Sequence, residues 1–185
     1  MVVQSVKLPI AKAIAKQLLN ISNQSIILRE AQFPQDNLFL LDVYSSTRED
    51  VQVVIDWTQE QKTAFIQMQF NAQHSYYQEH YSEAEFLIIT VENIPVGRLY
   101  IERWDKEFRI IDIALLASHR QQLIGSSLLK AILMIAQEEG LAVTIHVENY
   151  NRAMNLYHRL GFRKIGNCGL YDLMEWLPSS SVNNQ

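Results

Sequence analysis

Cysteine is nearly absent: the 185-residue chain holds one, Cys168. That excludes a disulfide framework within the chain and any zinc cluster built on several cysteines, and it fits a reducing cytoplasm. Apart from Lys164 the thiol has little cationic company in the sequence, so a loop or buried cysteine is expected rather than a nucleophile. Long apolar runs are missing too, and none approaches the ~20 residues of a membrane span. Lys7, Lys12 and Lys16 interrupt what would be the apolar core of a secretion signal, so a cytoplasmic protein with no membrane partner is expected. Basic charge is not in excess. Lys and Arg number 16 against 20 Asp and Glu, a formal charge of -4, and the cations are scattered, which argues against a nucleic-acid partner. There is no G-x-x-x-x-G-K-[S/T] phosphate loop, no repeat and no low-complexity block, which sets aside the common nucleotide-binding designs.

What is present suits one domain with a single core. Residues 1–24 form an N-terminal extension, read as a short amphipathic helix with Ile10, Ala13, Ile14, Gln17 and Leu18 on one face. That face expects cover from the domain or from a second copy of the chain, as in a homodimer. Residues 25–177 carry the domain, and 178–185 form a Ser/Asn/Gln tail expected to be disordered. Strands are expected at Ser25–Glu30, Phe86–Glu92, Val96–Trp104, Phe108–Leu116, Val143–Val147, Phe162–Gly166 and Leu170–Trp176. Asp36 is placed to cap a helix carrying Leu38, Leu41 and Tyr44. A longer helix runs from about Thr58 to Tyr81, rich in Gln and in Phe65, Met68, Phe70, Tyr76, Tyr77 and Tyr81; these positions form either core or a wall for substrate. Three antiparallel strands, a crossover helix and a parallel neighbour give a mixed α/β sheet.

The organising stretch is Ile110–Gly140. A dense apolar strand leads to the turn Arg120-Gln121-Gln122-Leu123-Ile124-Gly125-Ser126, and a helix follows with Leu128, Leu129, Ile132, Leu133 and Ala136 on one stripe and Gly140 at its end. Strand, tight turn and helix aim free backbone N–H groups and a positive dipole end at an anion. Gly125 lets backbone approach a phosphate closely, Ser126 is small, and Arg120 adds a cation. After the strand Val143–Val147 comes Asn151-Arg-Ala-Met-Asn-Leu-Tyr157-His-Arg-Leu-Gly-Phe162.

These two motifs together resemble the GNAT superfamily of acyl-CoA N-acyltransferases. Its signature is [Q/R]-x-x-G-x-[G/A] opening a helix, followed about thirty residues later by N-x-A-x-x-L-Y-x-x-x-G-F. The second half matches in full. The first matches at Arg120 and Gly125 but has Leu123 where the family usually has glycine, which is tolerable where the leucine φ is negative. The resemblance implies a mixed, mostly antiparallel sheet of about seven strands, with a parallel pair splayed around the cofactor and helices on both faces. It implies N-acetyl transfer from acetyl-CoA to a primary amine; the rival reading is a noncatalytic acyl-CoA-binding or regulatory module.

By the same resemblance the pantetheine arm lies along Leu115, Leu116 and Ala117. The pyrophosphate sits on the N–H groups of Gln121, Gln122, Leu123, Ile124, Gly125 and Ser126 beside Arg120, and Asn151 contacts the cofactor or caps its helix. The Leu115 N–H would donate to the thioester oxygen and Tyr157 would protonate the leaving thiolate. The base is open. Many relatives carry Glu where this chain has Arg109; others use an acid five residues before the motif Asn, which is His146 here. A histidine titrates near neutrality, and alternation puts His146 opposite Val143, Ile145 and Val147. Asp112, Glu102 and water are the alternatives. No metal is implied.

Overall fold

The computed structural model describes residues 9–179. Seven strands form one sheet in the order β1-β2-β3-β4-β5-β7-β6: β1 Ile26–Glu30, β2 Glu85–Val91, β3 Ile94–Arg103, β4 Glu107–Leu115, β5 Ala142–Glu148, β6 Arg163–Cys168 and β7 Tyr171–Trp176. Every neighbouring pair is antiparallel except β4 and β5. Six helices, α1 Ile10–Ile21, α2 Asn37–Thr47, α3 Glu49–Gln52, α4 Gln59–His80, α5 Ile124–Glu139 and α6 Met154–Arg159, complete the described fold. The mixed architecture expected from the motifs is the one found.

Two apolar layers sandwich the sheet. On one side α1 and α5 pack on Leu87, Ile89, Leu99, Ile110, Val143 and Ile145. On the other, α2 and α4 bring Leu40, Tyr44, Ile66 and Phe70 onto Ile88 and Tyr100. Strand alternation explains the division: inner strands are apolar at both parities because each face meets a helix. Helix α1 belongs to the first layer, where Ile14 and Leu18 are buried. Its N-terminal donors are met by Glu85 of β2, whose carboxylate accepts from Ile10 N–H and, at 2.8 Å, from Ala11 N–H; a carboxylate there also opposes the helix dipole favourably. Gln17 donates to Glu138 on α5 at 2.8 Å.

Local expectations held unevenly. Helix α4 opens with a full capping box, Thr58 and Gln61 bonding reciprocally, and Gly140 ends α5 with φ +68°. Asp36 does not cap α2 with its side chain. Its carboxylate instead takes both guanidinium nitrogens of Arg29, at 2.7 and 2.8 Å, and the Gln32 N–H. These contacts, the Arg29 hydrogen bond foremost, hold its pKa below the usual carboxylate range. At the other end, Ser179 exchanges two hydrogen bonds with the Gln137 side chain, so the chain is tied down there. Residues 1–8, with Lys7, and residues 180–185 of the tail lie outside the described part.

Two features set up the cleft. The β3–β4 register shifts so that Tyr100 faces Asp112 while Ile101 faces Ile110, leaving Ile111 as the extra residue of a bulge. Beyond it β4 keeps following β3, and its parallel pairing with β5, which begins at Glu107/Ala142, ends at Ile110/Ile145. The two strands then splay, as the resemblance implies. Gly97 holds β3 and β4 together opposite Leu115: a Cβ there would lie 2.3 Å from the Ala114 carbonyl oxygen and 2.7 Å from Leu115 Cδ2. Gly97→Ala is therefore expected to destabilise by about 1–3 kcal/mol, as overpacking does, seen as a fall of roughly 2–4 °C in Tm per kcal/mol. An unchanged melt would show that β3 and β4 have slack at this point.

Candidate active site

The splay leaves inward-facing backbone at the end of β4. Leu116 N–H donates to Val96 O across β3 at 2.9 Å. Antiparallel alternation then turns the Leu115 N–H to the other edge, toward the gap. Its carbonyl is taken by Arg120 Nε at 3.1 Å. A single 3-10 turn, Ala117–His119, follows. Within it Leu116 O and Ala117 O accept from the N–H groups of His119 and Arg120. Of the polar groups expected to meet a pantetheine arm, the Leu115 N–H is the one this alternation directs into the gap.

The turn into α5 is left-handed at two residues that are not glycine, Gln121 at φ +61° and Leu123 at φ +65°. The condition under which a leucine would be tolerated there, a negative φ, is not met. The position keeps the conformation a glycine would adopt, and the leucine side chain projects into solvent. Hydrogen bonds pin the turn: Leu123 O accepts from Ser127 N–H and Ser126 Oγ in the first turn of α5, each at 2.8 Å, and from across the fold Gln24 holds Gln122 O at 3.1 Å. No side chain caps the α5 N-terminus. A Cβ on Gly125 would meet only Leu115 Cδ1, at 3.8 Å, so the space over Gly125 is open.

Arg120 is not the free cation expected beside this turn. Besides Leu115 O, it donates to Ser46 O at 2.6 Å, Ser46 Oγ at 3.1 Å and Glu49 at 3.3 Å. Glu49 also takes Arg152 at 2.8 Å, and Arg48 lies 3.9 Å from Glu148 on β5. The α2–α3 junction thus spans the gap to the turn and to the α6 side. None of these partners was named from the sequence: Glu49 and Arg120 are 71 positions apart, and no local pattern links them.

Asn151 caps. Its Oδ1 accepts from Ala153 N–H at 2.8 Å, shaping the entry to α6. Tyr157 on α6 is buried against Phe162, with ring centroids 5.5 Å apart. Burial, and then the charge of Asp112, raise its hydroxyl well above the ordinary tyrosine value, so it stays protonated. Asp112 itself forms an ion pair with the buried Arg98 at 2.8 Å and receives the Tyr77 hydroxyl at 3.5 Å. Of the aromatic and methionine positions on α4, Phe70 is core and Tyr77 faces Asp112, whereas Met68 and Tyr76 are exposed.

His146 is the first β5 residue past the last pair with β4. It lies on the exposed face, opposite Val143, Ile145 and Val147 in the core. Its Nδ1 is 3.3 Å from Arg109 Nη1. Arg109 lies over the Trp104 ring at 4.8 Å and pairs with Glu107 at 2.9 Å. Glu102 accepts from Trp104 Nε1 at 2.8 Å. Burial, followed by Arg109, lowers the His146 pKa below the ordinary value. Among the described residues no cluster of His, Cys, Asp or Glu could hold a metal, and no helix is long and apolar enough to cross a membrane.

A splayed parallel pair, an uncapped helix entrance and an inward tyrosine on the following helix are joined by a sequence match: residues 51–162 fit the model of the acetyltransferase (GNAT) family. The chain belongs to the GNAT family. Solved structures share its fold at low identity. PaiA N-acetyltransferase from Thermoplasma acidophilum, determined in complex with coenzyme A, is 18% identical with a TM-score of 0.61, over 83% of this chain and 99% of that one. Ard1 from Thermoplasma volcanium is 19% identical at TM-score 0.54, over 84% and 99%. The ribosomal-protein-S18-alanine N-acetyltransferase from Escherichia coli is 15% identical at 0.53, over 86% and 98%. No curated protein matches the sequence. Within the GNAT frame Leu123 stands where a glycine is usual. Leu123→Gly should remove a left-handed leucine, offset in part by a freer unfolded chain. The expected gain is about 1 kcal/mol, or roughly 2–4 °C in Tm. A loss of stability would mean that the leucine side chain makes a contact worth more than the strain.

Proposed function

We propose that the protein is an N-acetyltransferase that moves an acetyl group from acetyl-CoA to a primary amine. The observation that carries this is the Leu115 N–H turned into the gap beside an uncapped α5 entrance, with open space over Gly125. Left-handed residues interleaved in a turn, as at Gln121 and Leu123, gather N–H groups into an anion-binding concavity. The N–H groups of Gln121 to Ser126 would hold a pyrophosphate, Leu115 to Ala117 would flank the pantetheine arm, and Asn151 would fix the start of α6 nearby. The acyl thioester supplies an activated carbonyl with a thiolate leaving group. Leu115 N–H donates to the carbonyl oxygen as negative charge develops there. Tyr157, held protonated by burial, donates its phenolic proton to the departing sulfur. Arg120 keeps the Leu115 carbonyl engaged and so fixes the Leu115–Leu116 peptide, next to the one that carries the donor N–H. The acceptor amine enters between β5 and the α2/α4 layer, over His146, Asp112 and Tyr77.

A second reading, a module that binds acyl-CoA without turnover, is favoured by one observation: Arg109 occupies the place where many relatives carry a glutamate base. CoA binding and CoA release separate the two. CoA at ~100 times its dissociation constant should stabilise the fold by about 2.7 kcal/mol, and Gly125→Asp should abolish the shift. The fold itself has room for that side chain, so the loss would report on the ligand. Absence of any shift in the parent protein would sink both readings. Release of free thiol from acetyl-CoA with a mixed panel of primary amines then supports transfer, and a CoA shift without release supports the module.

Tyr157→Phe retains the packing on Phe162 and removes only the proton. Turnover should fall on the order of 10²-fold or more with CoA affinity nearly constant. Unaltered turnover with a lower Tm would assign Tyr157 to the core alone.

A further inference from the structure

Arg109 sits where a base is usual in relatives, yet every nitrogen of a guanidinium is a donor and none accepts. The contact between Arg109 Nη1 and His146 Nδ1, at 3.3 Å, therefore has one consistent assignment: Nδ1 is the acceptor, with its lone pair toward the arginine. A neutral imidazole carries one proton, so the proton is on Nε2. Arg109 cannot swing away freely. Glu107 holds its Nη2 at 2.9 Å, and the Trp104 ring lies against it at 4.8 Å, oriented in turn by Glu102 through Trp104 Nε1 at 2.8 Å. Glu107 is itself fixed by Thr144 Oγ1 at 2.6 Å.

We propose that Arg109 is a positioning residue that locks His146 in the tautomer protonated at Nε2, so that the acceptor half of the cleft meets a neutral N–H donor instead of a base. The ammonium N–H bond of the acceptor then breaks to water: the electron pair stays on nitrogen and the proton goes to solvent before the amine attacks. The charges around the ring agree. Arg109 and Glu107 face it from β4, Glu148 lies two positions along the same face of β5, and the register partner of His146 on β7 is the apolar Leu173. From α4, Tyr81 feels both Arg109 and Glu102. Burial and Arg109 together favour the neutral ring, with Glu107 opposing.

The tautomer is independent of any activity, whereas the role in transfer rests on the acetyltransferase reading, and the test keeps the two apart. Nitrogen-15 NMR of the full chain labelled at histidine, with His146→Gln to assign the resonance, should show the His146 ring protonated at Nε2 at neutral pH and titrating below an ordinary histidine. In Arg109→Met the form protonated at Nδ1 should gain population and the titration should move up, because a cation is lost and Glu107 remains. A parent ring protonated at Nδ1 overturns the proposal whether or not the Arg109 variant folds, as does an Arg109→Met spectrum unchanged in tautomer and titration. With whichever panel amine is turned over, His146→Gln should lower turnover yet keep the acid limb of kcat/KM in place. Disappearance of the limb would make His146 the base and overturn the proposal. A panel with no turnover would count against the acetyltransferase reading, and the NMR result would still decide the tautomer.

Discussion

Past Ile110 and Ile145 the central strands lose each other. β4 is committed to β3 by antiparallel pairing on both sides of the Ile111 bulge, and β5 is committed to β7 from Val143 to Glu148. Neither can bend back to restore the parallel pair, which stops after Ile110/Ile145. An interior sheet edge of this kind has unmet hydrogen-bonding groups that water or a ligand must satisfy. The gap is the candidate site. Gly97 lets β3 and β4 approach closely enough to hold it open, and the bulge turns Asp112 to the side where α4 supplies Tyr77.

The charged groups around the gap divide by burial. Arg98 and Asp112 form a buried pair, aided by Gln73, which accepts from Arg98 at 3.0 Å; losing one partner would strand the other, which is where such pairs become costly. The contacts of Glu49 with Arg120 and Arg152 are exposed and individually weak. Their effect is geometric. Arg120 joins four oxygen acceptors from β4, α2 and α3, so the turn into α5, the end of β4 and the α2–α3 junction form one unit. A cation that looked available in the sequence is a strut.

Arg109 shows the same shift from chemistry to positioning. As a replacement for an acid it reads as a defect. In the fold it stacks on Trp104, pairs with Glu107 and reaches His146. Three residues weighed as bases, Glu102, His146 and Asp112, thereby separate: Glu102 orients an indole, Asp112 neutralises Arg98, and His146 is the ring at the mouth of the gap.

Much of the fold was legible because its determinants are local. Apolar runs at both parities marked the covered strands, a 3.6-residue stripe and Gly140 marked α5, Thr58 marked the start of α4, and the motifs from Arg120 to Phe162 named the family. Determinants that span the chain were not legible. The left-handed backbone at Leu123 follows from hydrogen bonds that fix the turn, including one from Gln24, 98 positions away. Asp36 turned from a cap to an ion pair once Arg29 lay beside it. The partner of Arg120 is 71 positions distant and that of Arg109 is 37. The sequence by itself determined most of the elements, their order and the family they belong to, because propensity, periodicity and turn chemistry act over a few residues. Which side chains meet in the cleft, and hence which nitrogen of His146 carries the proton, was decided by the tertiary structure alone, since hydrogen-bond roles are set by neighbours that only folding brings within about 3 Å.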